Sequence, residues 1–213
     1  MNDLIQRVPD LRGHLRDQLD RRLRLGIYPD DVRLMEHGVA REFSVSRTPA
    51  REALAMLARE GVLERVGRGY RRVRFSVEDI QNVFEVRRRL EPFAVRLVAE
   101  RATTVEKNAL RQGLKELAAQ VNDAHSYMDA LAALRRPLFE PCDNEHLIRL
   151  MSAHEAPIGY VRTQTLAELN TRKLSLEGNK RLVKAICGRD ADAAEHEMLS
   201  LLEQAEAASM KLV

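Results

Sequence analysis

The chain has no tryptophan, and phenylalanine and tyrosine bring its aromatic content to only 4%. Large rings therefore cannot build the core. With 45% apolar residues it must be rich in Leu, Ala and Val, a composition that favours helices over sheets. Cysteine is also scarce. Cys142 and Cys187 stand alone, without metal-type or redox spacing, and read as idle thiols. No apolar run reaches the roughly 18 residues of a membrane span, and the polar N-terminus lacks a signal-peptide core. A cytoplasmic protein with no membrane partner is expected. A phosphate-cradling glycine loop, a nucleophile–base arrangement and a carboxylate pair in a recognisable frame are all missing. Neither His154-Glu155 nor His196-Glu197 has a second histidine four residues after the first, as a zinc-protease helix would require. Enzyme chemistry is thus disfavoured.

What is present is unevenly distributed. The 213 residues allow one large domain or two small ones. Residues 1–75 contain 16 Arg, no Lys and 11 Asp plus Glu, a net +5, whereas the remainder carries a net −2. Arginine enrichment fits planar, bidentate recognition of phosphate and guanine, although genome composition alone could also produce it. The densest stretch is Val45-Ser46-Arg47-Thr48-Pro49-Ala50-Arg51-Glu52-Ala53-Leu54. Ser46 and Thr48 are residue types that cap helix starts, and Pro49 suits a first helical position. Ala53, Leu54, Leu57 and Ala58 recur at helical spacing and supply an apolar face. A helix start offering two guanidiniums, two hydroxyls and free N–H groups suits a phosphate backbone and a base edge.

Residues 1–10 read as a loosely held arm. Leu11, Leu15, Leu19 and Leu23 mark a first helix that stops near Gly26. Glu36 to Phe43 is a second, short helix, and the Ser46 stretch opens a third that ends near Glu60-Gly61. Two β-prone runs, Val62 to Val66 and Tyr70 to Phe75, flank Gly67-Arg68-Gly69, whose glycines permit a tight hairpin tip. Three helices and a Gly/Arg-tipped hairpin make a winged helix-turn-helix with a small β-hairpin wing over residues 1–75. Residues 76–213 carry only helical periodicity. Helices are expected at 77–102, with a kink or irregularity at Pro92, and at 104–122, 125–138, 144–170, 173–187 and 190–210. The fold class is mainly α, with the second domain an all-α bundle.

Gly26-Ile27-Tyr28-Pro29, Ala40-Arg41-Glu42, the Val45–Leu54 stretch and Leu57-Ala58-Arg59-Glu60-Gly61-Val62-Leu63 together resemble the DNA-binding domain of the GntR family of bacterial transcription regulators. The likeness runs without a gap for about sixty residues. It departs at Asp30-Asp31, where the family more often has Pro-Gly, and at Ala50, where Val is commoner. Ser76-Val77-Glu78-Asp79-Ile80, Glu85 to Pro92, Ala99 to Ala102 and Gly188 to Ala194 resemble the FadR-type C-terminal domain, FCD, an effector-binding and dimerisation domain. The resemblance is weaker over 123–172.

Carried over position by position, the resemblance implies that Arg47 and Arg51 contact bases and phosphates of double-stranded DNA. Ser46 and Thr48 would bond phosphates, with Pro49 in the same DNA-binding helix start, His37 and Arg41 on the second helix face the DNA backbone, and Arg68 and Gly69 form the wing tip. Arg65, Arg71, Arg72 and Arg74 stay open between phosphate contact and a solvated strand face. Many FCD domains hold a metal on one Asp and three His. Those positions fall here on Leu131, Arg135, Asn179 and Leu201, so no metal and no cofactor are expected. His125, His146, His154 and His196 remain as surface or replacement residues. Arg87 occupies a family position facing the same cavity. Arg87, Arg135 and Asn179 would suit a carboxylate- or phosphate-bearing metabolite, unless Arg135 turns outward or pairs with Glu91 or Glu140. A pocket lined by Leu131 and Leu201 would also admit a more apolar effector, as the resemblance to the acyl-binding branch that lacks a metal implies. The implied function is a ligand-responsive regulator, a repressor, that reads a palindromic operator as a homodimer. A helical enzyme using the winged helix only for assembly, or a winged helix serving as a protein or RNA module, are the rival readings.

Overall fold

The computed structural model describes residues 11–24, 26–29, 31–153 and 155–211. The arm expected over 1–10 and His154 lie outside them. The chain divides into two compact units, residues 1–74 and 75–213.

In the first unit, α1 (Leu11–Arg24), α2 (Glu36–Glu42) and α3 (Arg47–Arg59) precede β1 (Leu63–Val66) and β2 (Gly69–Arg72). Leu15, Leu19 and Leu23 of α1 are buried with Ala53, Leu54 and Leu57 of α3, and Leu63 and Tyr70 close the same core. The α2–α3 turn is tight. Ser44 adopts φ 54°, and Val45 N–H donates to Ala40 O at 2.9 Å, the wrapped bond of a Schellman-type helix end. The strands pair antiparallel, with Glu64 opposite Arg71 and Val66 opposite Gly69. Gly67 at φ 60° turns the tip. Leu34 adds a bridge to Tyr70, with N–H···O bonds of 2.7 and 2.8 Å in the two directions. The wing is therefore pinned to the segment before α2, an attachment the period-2 pattern does not reveal.

In the second unit, α4 (Val77–Arg101), α5 (Thr104–Ala119), α6 (Ala124–Phe139), α7 (Glu145–Ser152), α8 (Glu155–Thr165), α9 (Leu169–Cys187) and α10 (Ala191–Ser209) form a bundle. Capping boxes at Ser76/Asp79 and Thr103/Glu106 fix the starts of α4 and α5. α4 packs on α9 and α10, and Phe84, Val95, Val98, Leu110, Tyr127 and Leu182 are fully buried. Gly178 lets α9 and α10 approach closely, since a Cβ there would collide with the side chain of Leu201.

One expectation about the helices needs correcting. The helix foreseen over 144–170 is three pieces: α7, α8 and the first two residues of α9. Pro157 has no N–H to give a helix continuing from α7, and it falls in the first turn of α8, where no intrahelical bond is required of it. α4 runs as one helix from Val77 to Arg101 with Pro92 inside it.

Candidate DNA-reading face and helical-domain cavity

The start of α3 differs in detail from the sequence reading. Ser46 is the N-cap residue, with extended φ −72° and ψ 165°, but its hydroxyl makes no cap bond. Pro49 is the third helical residue rather than the first, still within the turn whose N–H groups have no intrahelical acceptor. Ala50, Ala53, Leu54 and Leu57 face the core. The opposite side presents Arg47, Thr48 and Arg51, all exposed, with Pro49 half-buried. On α2, His37 and Arg41 are exposed, one turn apart. Arg68 at the wing tip is exposed as well.

Some arginines of this unit have acidic partners, whereas Arg33, Arg59, Arg65 and Arg74 pair with no acid among the described residues. Arg16 pairs with Glu60, Arg22 with Glu42, and Arg71 with Glu64 at 2.7 Å. Among the described residues, Arg41, Arg47, Arg51 and Arg68 have no such partner. The strand arginines left open therefore separate: Arg65 and Arg74 are exposed, Arg71 is tied to its cross-strand glutamate, and Arg72 is buried at 8%. Gly69 is not at the tip. It is the buried first residue of β2, where a Cβ would lie 2.6 Å from Met35 Sδ and 2.9 Å from Leu34 O. Its role is close packing. Arg33, which sequence reasoning passed over, donates from Nη2 to the Val66 carbonyl and so braces the wing from outside.

The second site is a cavity of about 420 Å³ in the helical unit, within the range of small-molecule sites. Arg87, Leu131, Arg135, Asn179 and Leu201 all line it, so the structure brings together the residues singled out from sequence. Their chemistry is more constrained than expected. Glu91, 2% exposed, accepts from Arg87 Nε at 2.8 Å and from Arg135 Nη2 at 3.3 Å. Arg135 Nε also donates to Glu155 at 2.9 Å. Phe84 and Phe139 lie against Arg87 and Arg135 at 4.9 and 4.8 Å from ring centroid to guanidinium carbon. Burial alone would raise the Glu91 pKa, but the two guanidiniums outweigh it and hold the carboxyl down at about 2. Asn179 donates an amide hydrogen to Ser175 O at 2.8 Å, one turn back on α9. Two leucines, a carboxamide and a cationic guanidinium are a poor donor set for a divalent cation. Among the described residues no three His, Cys, Asp or Glu side chains converge.

Residues 82–204 match the FCD domain, and residues 11–73 match the bacterial regulatory proteins of the gntR family. The chain belongs to the GntR family. It is a DNA-binding transcription regulator. Among curated proteins, the GntR-family chain is 23% identical over 188 residues to the HTH-type transcriptional regulator YdhC of Bacillus subtilis, covering 86% of this chain and 84% of that one. It is 31% identical over 113 residues to the gluconate operon transcriptional repressor of the same organism, covering 53% and 45%. Among solved structures, E. coli McbR/YncC shares the fold with a TM-score of 0.78 at 19% identity, covering 95% of this chain and 98% of that one. A GntR regulator from Rhodococcus sp. RHA1 does so with a TM-score of 0.80, at the same identity and coverage. Among the described residues no helix is long and apolar enough to cross a membrane.

The cavity of this GntR regulator contains one functional candidate that sequence reasoning missed. Arg162 lines the wall, and its nearest carboxylate oxygen, on Glu155, is 3.7 Å away. Burial and repulsion from Arg135 and Arg87, only partly opposed by Glu155 and Glu91, push its pKa down to about 9. A signal existed. Arg162 stands four residues after Ile158 and three before Thr165, on the inward stripe of α8.

Proposed function

We propose that the protein is a repressor that binds a palindromic operator as a homodimer and is released or retained by a small carboxylate-bearing metabolite in the helical-domain cavity. The observation carrying the DNA-reading part is the exposed, acid-free cluster of Arg47, Arg51, Thr48 and Ser46 at the start of α3. Arg68 on the wing tip and Arg41 on α2 add phosphate contacts. Two-fold pairing imposes two-fold symmetry on the DNA site. Val86 and Phe93, two turns apart on α4, are exposed apolar residues and supply a face for a second copy. The named function of the B. subtilis gluconate repressor supports the sign of regulation. The protein works in the cytoplasm, where the operator is, and needs no metal.

Arg87 and Glu91 of the cavity sit on α4, which follows β2 after only residues 73–76. Effector binding acts by favouring one arrangement of the reading heads over another, and this requires different affinities for the two arrangements. Fluorescence anisotropy on duplexes from the flanking genomic DNA tests the reading. A specific duplex should bind with affinity that falls steeply as salt rises, and Phe93→Glu should give monomers by analytical ultracentrifugation. Failure to bind any such duplex at low ionic strength would overturn it.

A further inference from the structure

The walls of the cavity carry three guanidiniums, and two carboxylates stand beside them. Glu91 is shared between Arg87 and Arg135, and Glu155 is held by Arg135 at 2.9 Å. Arg162 is left with a single long approach of 3.7 Å to Glu155 and no hydrogen bond among the described residues. The other charged lining groups, Glu168 and Lys211, are exposed and of opposite sign, so they leave the balance unchanged. One positive charge is unmatched, and it belongs to Arg162. The rest of the wall is mixed: Leu131, Leu134, Leu138, Ile158, Leu201 and Leu202 supply hydrocarbon, and Thr165, Thr171, Ser175, Asn179 and Gln204 supply polar groups.

We infer that the effector is a monoanion with an apolar body, its single carboxylate bound by Arg162 and its hydrocarbon part lying along the leucine wall. This rests on the cavity being the effector site and narrows the chemistry of what enters it. Arg87 and Arg135 do not take the carboxylate, because each is already engaged by Glu91. Their role is to position that internal acid and leave Arg162 without a partner. A second negative charge on the ligand would meet Glu91 and Glu155 with no free cation, and desolvating it unpaired is costly. An uncharged ligand would leave the Arg162 guanidinium buried and unsatisfied.

The test uses the full-length protein with hexanoate, octanoate, decanoate and phenylacetate as probes. Their primary amides, and the straight-chain dicarboxylates of equal carbon number, serve as controls. Thermal shift and isothermal titration read binding, and anisotropy on the operator duplex reads regulation. At least one monocarboxylate should raise Tm saturably, with its amide and the dicarboxylate binding about 10- to 100-fold more weakly. Arg162→Gln should remove that discrimination while Arg162→Lys keeps part of it, and circular dichroism should show both variants folded. Equal binding of acid and amide, tighter binding of dicarboxylates, no response to any monocarboxylate, or an unchanged preference in a folded Arg162→Gln would each overturn the inference. If acids bind through Arg162 but operator affinity does not move, the charge assignment stands and the regulatory reading of the cavity fails.

Discussion

Arg47, Arg51 and Arg68 in the N-terminal unit lie in solvent with no acid beside them. Arg87 and Arg172 in the helical unit are buried with their donors engaged. Arg87 meets Glu91, and Arg172, 4% exposed, donates to the carbonyls of Val121, Leu166 and Ala167 at 2.7–2.8 Å. One residue type thus serves two purposes. An exposed guanidinium without an intramolecular partner keeps its donors for a polyanion, at little desolvation cost. A buried one joins elements that hydrocarbon cannot join, and every donor must find an acceptor. Arg162 belongs to neither class: it lies inside the helical unit with only the 3.7 Å approach to Glu155, which is why the proposed ligand contact falls to it.

The largest break in this contrast should come from Glu91→Gln. Removing the acid leaves Arg87 and Arg135 facing one another in a buried space, at a cost of about 3–5 kcal/mol, read as a fall in the unfolding temperature. Acid should do the same gradually. Because the folded-state pKa of Glu91 lies at about 2, below its ordinary 4.5, its stabilisation is complete above 4.5 and is lost as pH falls toward 2. Thermal melts should therefore decline through that window, and the decline should be shallower in Glu91→Gln. On the other side of the comparison, Arg47→Ala or Arg51→Ala should leave the melt within about 0.5 kcal/mol of wild type. Each should weaken operator binding by about 1–3 kcal/mol and relax the base preference at one position. A comparable loss of fold stability would show that these side chains are not held in reserve. The smallest effect is expected at Ser44. Its φ of 54° favours glycine, so Ser44→Gly should stabilise the first unit by about 1 kcal/mol without changing DNA affinity.

Much of the fold was legible because it rests on local rules. The leucine stripe of α1 and the glycine-tipped hairpin each act within a few residues. What escaped depends on contacts between segments distant in the chain. The hairpin pattern around Gly69 reads as a tip, yet the bridge from Leu34 to Tyr70 turns that glycine inward against Met35. Within 144–170, Leu147, Met151, Ile158, Val161 and Thr165 keep one inward stripe, so periodicity could not show that α7 and α8 divide it. For the cavity, Arg135 was found because its position could be carried over, and Arg162 was passed over because a lone arginine in a helix is ordinarily solvated. Only the Glu91 pairing, formed across α4 and α6, shows which guanidinium is left free.

Glu91 has a wider consequence. It gives the chamber a permanent resident that mimics half of what a visitor would bring, so the surrounding helices stay braced when no metabolite is there. A receptor reinforced in this way can lose its signal without coming apart. On the proposed effector reading, such a receptor would pass repeatedly between filled and vacant forms, with its response set by how tightly the small acid is held rather than by refolding.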